Sequence, residues 1–148
     1  MNSNIVIRKM TMEDVPQVAQ IEKESFSMPW SEKSFTDALT DKNNIYVVAL
    51  IEDNIVGYCG MWGCAGEGQI YNVCVRKAMR GKGVGSILFK GFLDEGIKAG
   101  LKAFTLEVRV SNQNAISMYE KYGFENAGIR KNFYENPKED AMIMWLYV

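Results

Sequence analysis

The chain has 148 residues, a formal net charge of −1 and no histidine. That length suits one domain whose core needs neither disulfides nor metal, and 47% hydrophobic with 24% charged residues is the composition of a soluble globular protein. The near-neutral balance gives no general attraction for nucleic-acid phosphates, and three scattered cysteines, Cys59, Cys64 and Cys74, fall short of a structural zinc set.

Met1-Asn2-Ser3-Asn4 runs straight into Ile5, Val6, Ile7 and Arg8, whose alternation predicts a strand over 4–10 in place of a signal peptide. Thr11 and Asp14 then predict a helix start, with Pro16 in its first turn and Val15, Val18, Ile21 and Phe26 at helical spacing. Ser31 is placed to cap a second short helix carrying Phe35, Ala38 and Leu39. Ile45–Ile51 and Ile55–Trp62 flank Glu52-Asp53-Asn54 and predict a hairpin. Ile45 to Ile51 is also the longest clean apolar run, far below the ~20 residues of a membrane helix, so a soluble, cytoplasmic protein is expected. A glycine-punctuated turn from Gly63 to Gly68 leads to a strand over Gln69–Val75. Arg80-Gly81-Lys82-Gly83-Val84-Gly85 opens a helix in which Val84, Ile87, Leu88, Gly91, Phe92 and Glu95 form the stripe, and Gly100 stops it. A strand over Ala103–Val110, a helix over Asn112–Tyr122 closed by Gly123, and strands near 124–131 and 140–147 complete the chain. Hairpins mixed with crossovers predict one α/β domain over 1–148, with a mixed sheet and helices on both faces.

A strand, a glycine-rich turn and a helix start form a general phosphate cradle, because successive N–H groups and the helix dipole point at an anion. The spacing excludes two common versions. Gly81-Lys82-Gly83-Val84-Gly85 lacks the GxxxxGK[ST] pattern of triphosphate binders, and Leu88 stands where a dinucleotide fingerprint needs its third glycine.

Arg80-x-x-Gly83-x-Gly85 after a strand resembles the pyrophosphate loop of the GCN5-related N-acetyltransferases (GNAT superfamily). Further stretches carry the likeness from end to end: Met28-Pro29-Trp30-Ser31-Glu32, Val73-Cys74-Val75, Leu106 to Asn112 running on to Ala115, Tyr119 and Tyr122-Gly123-Phe124, and Arg130 to Tyr134 followed by Glu139 to Met144. Together they are most similar to the RimI family of ribosomal-protein N-terminal alanine acetyltransferases. The resemblance implies a mostly antiparallel sheet of about seven strands, and acetyl-coenzyme A as co-substrate with no metal. It implies that the backbone of Val73, Cys74 and Val75 pairs with the pantetheine arm. Arg80, Gly81, Lys82, Gly83, Val84, Gly85 and Ser86 would hold the pyrophosphate, and Asn112 would add a coenzyme contact. Trp30, Phe133 and Tyr134 would form the acceptor groove, although family members often carry two tyrosines where this chain has Phe133-Tyr134. The implied partner is the N-terminal peptide of a protein, a small basic ribosomal protein first of all, bound transiently by a monomer or weak dimer.

Acetyl transfer to an amine needs a bound thioester, a neutral nucleophile and a proton for the leaving thiolate. Without a histidine to activate a cysteine, direct attack by the amine is expected. In the strand Ala103–Val110, Thr105, Glu107 and Arg109 share one face. Two readings of Glu107 stand, a general base or a structural pair with Arg109. Tyr119 reads either as the acid for the thiolate or as part of a core stripe with Ala115 and Tyr122, and the three groove aromatics read equally as core or surface. An α-amino group, with an ordinary pKa of ~8, loses its proton far more easily than a lysine at ~10.4, which favours a peptide N-terminus. A small-molecule amine or a lysine as acceptor, and a non-catalytic acetyl-coenzyme A binder, are the rival readings.

Overall fold

The structure, a computed structural model, describes residues 4–148; Met1 to Ser3, the head of the sequence read as lacking a signal peptide, lie outside the described residues. The elements in chain order are β1 Ile5–Lys9, α1 Val15–Ser25, α2 Glu32–Thr40, β2 Asn44–Ile51, β3 Asn54–Cys64, β4 Glu67–Val75, α3 Val84–Lys98, β5 Ala103–Arg109, α4 Gln113–Lys121, β6 Glu125–Glu135 and β7 Lys138–Tyr147. Seven strands form one sheet in the order β1-β2-β3-β4-β5-β7-β6, antiparallel at every junction except β4–β5. No helix among the described residues is long and apolar enough to cross a membrane.

The sheet is covered on both faces, which explains the unbroken apolar run in β2. Val47 and Ala49 pack with Leu88, Phe89 and Phe92 of α3. Tyr46, Val48 and Leu50 pack on the other face with Val18 and Ile21 of α1 and Phe35 of α2. A strand buried on both sides needs no polar alternation.

The β2–β3 and β3–β4 hairpins are tighter than the sequence suggests. Glu52-Asp53 (φ 50° and 67°) and Ala65-Gly66 (φ 54° and 82°) each make a two-residue turn with both residues left-handed, which matches the twist of antiparallel strands. Most of the Gly63–Gly68 turn is therefore strand. Cys59 and Cys74 are buried, as small hydrophobes should be, whereas Cys64 at the end of β3 is exposed.

Helix α3 buries Val84, Leu88, Phe89, Phe92, Leu93 and Gly96. Compared with the expected stripe, Ile87 is exposed and Phe89 and Leu93 replace it. The reason is close packing: a Cβ on Gly96 would lie 2.6 Å from Phe104 and one on Gly91 2.8 Å from Ile7. The helix settles with its smallest residues against the sheet. Phe26, expected on the α1 stripe, is instead extended and exposed just after that helix, where Pro29 disfavours further helix.

Gly60 on β3 has a similar packing role. A Cβ there would lie 2.1 Å from the Tyr46 ring. Gly60→Ala is expected to destabilise the fold by about 1–3 kcal/mol, since overpacking a filled site forces side chains off rotamer. Urea unfolding measures this, and an unchanged midpoint would contradict the packing argument.

Candidate active site

The site begins as a fault in the sheet. Parallel pairing of β4 with β5 is confined to Glu67↔Ala103, Gly68↔Phe104 and Gln69↔Thr105. Beyond that point β4 carries a bulge: Gly60 faces Asn72 and Met61 faces Ile70, leaving Tyr71 as the extra residue. Its effect on facing is visible in the cores. Ile70 packs on the α3 side and Cys74 on the α1–α2 side, although residues four apart in a regular strand share a face. Bulges bend and twist a strand, and here β4 leaves β5, so Val73 to Val75 have no β5 partner. A cavity of about 500 Å3 opens in the notch.

Seven of the expected site residues line this one cavity: Trp30, Val73, Glu107, Asn112, Tyr119, Phe133 and Tyr134. The α1–α2 loop and the β6–β7 turn meet above it, where Ser27 Oγ donates to the Asn136 carbonyl at 3.4 Å. Phe133 and Tyr134 lie beyond the end expected for the strand near 124–131. Strand β6 runs on to Glu135 through a bulge between Arg130 and Tyr134, at which Asn132 takes a left-handed conformation and its N–H donates to Asp140 Oδ1 at 2.9 Å. That bulge interrupts the alternation on which the sequence reading relied.

Glu107 does not pair with Arg109. Arg109 Nη1 bonds the Pro137 carbonyl at 2.8 Å and Glu139 Oε1 at 3.2 Å, and its guanidinium lies 4.3 Å from the centre of the Tyr134 ring. Glu107 Oε2 lies 3.5 Å from Arg130 Nη1, with the two side chains 32% and 54% exposed. Such a half-open contact contributes little to stability. The carboxylate remains open to the cavity, beside Tyr134, whose phenol burial and then the Glu107 charge push up to about 12.

Tyr119 is buried, with its ring 5.2 Å from Phe89 and 5.9 Å from Phe124. The core stripe is therefore real, yet the residue also lines the cavity, and its hydroxyl makes no hydrogen bond among the described residues. Burial raises its phenol above the ordinary range. Trp30 packs on Phe35 at 5.3 Å, and Phe133 stands edge-on to Tyr134 at 5.0 Å.

The glycine loop lies at the far end of β4. Gly81 (φ 78°) and Gly83 (φ 84°) are left-handed, and a Cβ on Gly81 would meet nothing within 4 Å. Gly83 caps α3, whose first turn leaves the N–H groups of Val84, Gly85 and Ser86 without intrahelical acceptors. An open, backbone-lined cradle at a helix start fits a pyrophosphate. Arg80 Nε is tied to the Val75 carbonyl at 2.9 Å, Ser86 Oγ lies 2.7 Å from the Tyr122 hydroxyl, and Asn112 Oδ1 caps α4 through Ala115 N at 3.2 Å. The Cys74 thiol points away from the notch and donates to Ser25 Oγ at 3.3 Å, so only its backbone is available to a ligand there.

Two buried polar residues of the cavity wall, Glu22 and Asn72, are absent from the sequence reading. Glu22, 4% exposed, accepts hydrogen bonds from the Tyr58 hydroxyl and, at 3.1 Å, from the Trp30 backbone N–H. Asn72, 7% exposed, accepts from the Tyr46 hydroxyl at 3.2 Å. Each had a signal: Glu22 falls four residues after Val18 on the buried stripe of α1, and Asn72 falls on the alternation Gly68, Ile70, Asn72, Cys74. A polar side chain at an apolar position of a periodic pattern marks a buried network or a site.

Comparisons with known proteins bear on the family and the fold. The acetyltransferase (GNAT) family pattern matches residues 15–124. A Bacillus subtilis protein provisionally named ribosomal protein bS18-alanine N-acetyltransferase is 35% identical, over 100% of this chain and 99% of its own. The enzyme of that name from Salmonella typhimurium is 34% identical over 90% of each chain. The crystal structure of the ribosomal-protein-S18-alanine N-acetyltransferase from Escherichia coli superposes with a TM-score of 0.89 at 30% identity, covering 97% of this chain and 94% of that one. The chain belongs to the GNAT family, among its RimI-like members, and is an acetyl-coenzyme A-dependent N-acetyltransferase.

Proposed function

We propose that the enzyme acetylates the α-amino group of a protein N-terminus, in the cytoplasm, with the N-terminal alanine of a small-subunit ribosomal protein as its target. The observation that carries this reading is the convergence of Glu107 and Tyr119 on one cavity roofed by the α1–α2 loop and the β6–β7 turn. The substrate named for the relatives from Salmonella and Escherichia coli supports it.

In this reading Gly81 to Ser86, with Arg80 and Lys82, hold the coenzyme pyrophosphate, and the backbone of Val73 to Val75 and Asn112 position the arm that carries the acetyl group. Acetyl-coenzyme A supplies an activated acyl carbon. Glu107, directly or through water, takes a proton from the amine. Its nitrogen forms a bond to the carbonyl carbon, the carbon–sulfur bond breaks, and Tyr119 gives its proton to the departing sulfur. Trp30, Phe133 and Tyr134 flank the acceptor peptide.

The test is thiol release from acetyl-coenzyme A with two sets of hexapeptides, one beginning with free alanine and one N-blocked with an internal lysine. Release with the free-alanine set alone is expected. Release with the blocked lysine set alone, or with neither, would overturn the acceptor assignment.

A further inference from the structure

Asn72 is buried in the cavity wall with half of its amide unsatisfied. Its Oδ1 accepts from the Tyr46 hydroxyl, while Nδ2 makes no hydrogen bond among the described residues. Three adjacent strands fix this orientation. Tyr46, Gly60 and Asn72 lie in one row across β2, β3 and β4. The missing side chain of Gly60 lets the Tyr46 ring lie across β3, so that its hydroxyl reaches Asn72. Burial, before any other cause, holds the Tyr46 phenol above its ordinary range, so it stays a donor and Oδ1 stays the acceptor. The Tyr71 bulge then decides which face of β4 carries Asn72.

With Oδ1 engaged by Tyr46, the Nδ2 donors border the cavity without a partner in the described residues and are available to a ligand there. The attacking amine is the wrong ligand, because its lone pair must stay free for the acyl carbon. A carbonyl oxygen is the right one. Every α-amino acceptor carries such an oxygen on the carbon next to its Cα, whereas a lysine ε-amine is preceded by four methylenes. We propose, on the basis of the N-terminal reading above, that Asn72 is a specificity-determining residue whose Nδ2 donates to the carbonyl oxygen of the acceptor's first residue. It thereby selects α-amines over lysine side chains.

The experiment pairs an alanine-initiated hexapeptide with the same peptide bearing sulfur, a weak acceptor, in place of its first carbonyl oxygen. Wild type, Asn72→Ala and Tyr46→Phe are compared by kcat/KM, with acetyl-coenzyme A binding followed by calorimetry. Asn72→Ala is expected to lose about 10- to 100-fold on the oxygen peptide, the range of one buried hydrogen bond, with coenzyme affinity unchanged. Sulfur is expected to cost wild type a similar factor and the variant little. Tyr46→Phe keeps the donor but frees its orientation, so its loss is expected to be smaller and mainly in KM. If Asn72→Ala fails to fold, a reduced sulfur penalty in Tyr46→Phe gives the same answer. An equal sulfur penalty in wild type and variants, with the oxygen peptide still acetylated, removes Asn72 from recognition and leaves the N-terminal reading intact. No acetylation of the oxygen peptide by wild type overturns both.

Discussion

Glu107→Gln is expected to lower kcat by about 100- to 10,000-fold at neutral pH while leaving the affinity for acetyl-coenzyme A within a factor of about two. The substitution keeps the shape of the side chain and removes its charge together with its capacity to take a proton. The ion pair lost with Arg130 is half exposed, so the unfolding free energy should change by less than about 1 kcal/mol. The rate of the variant should recover partly as pH rises toward the pKa of the acceptor, because solvent then supplies the neutral amine. Steady-state kinetics from pH 6 to pH 10 measure both effects. A full wild-type rate in the variant would return Glu107 to a structural role and move the base elsewhere in the cavity.

Tyr119→Phe is expected to cost about 100- to 1,000-fold in kcat, again with coenzyme binding retained. The ring contacts with Phe89 and Phe124 survive the change. No hydrogen-bond partner among the described residues is orphaned, so stability should hold and activity should report the hydroxyl alone. The raised pKa of Tyr119 sets the pH dependence. A phenol whose pKa is raised keeps its proton further into the alkaline range, so wild-type kcat should show no descending limb from Tyr119 below about pH 10, the ordinary phenol value. A descending limb there that vanished in Tyr119→Phe would contradict the burial argument. An unchanged kcat in the variant would remove Tyr119 as the acid.

Much of the fold was legible in the residues because local rules and long-range packing agree. The period of α1, the Ser31 cap on α2, the β2–β3 hairpin and the glycine-led start of α3 all follow from spacing and side-chain chemistry, and each formed near its expected bounds. The readings that shifted share one cause. Ile87 was expected inside because it fits a helical period, but Gly91 and Gly96 set the helix rotation through contacts with β1 and β5. Phe133 lies within, and Tyr134 at the far end of, a bulge that breaks the period of β6, so alternation gave no warning that the strand continues to them.

The same division runs through the site. The glycine-led start of α3, with its free N–H groups, is readable from the residues, since glycines before a helix act through the local backbone. By resemblance the sequence also identified the family, and it supplied Glu107 and Tyr119 as residues able to move protons. That these two line a cavity with Trp30, Phe133 and Tyr134 comes from the fold. Only the tertiary structure freed Glu107 from Arg109, by drawing that guanidinium to the β6–β7 turn. It also decided that Asn72 and Glu22 belong to the cavity wall. These outcomes depend on a one-residue bulge in β4 and on the parting of β4 from β5, features of strand register that arise between segments distant in sequence. Turn geometry and alternation set register within a hairpin, but that of β4 against β5, strands joined across α3, is settled by the packing of both faces of the sheet at once.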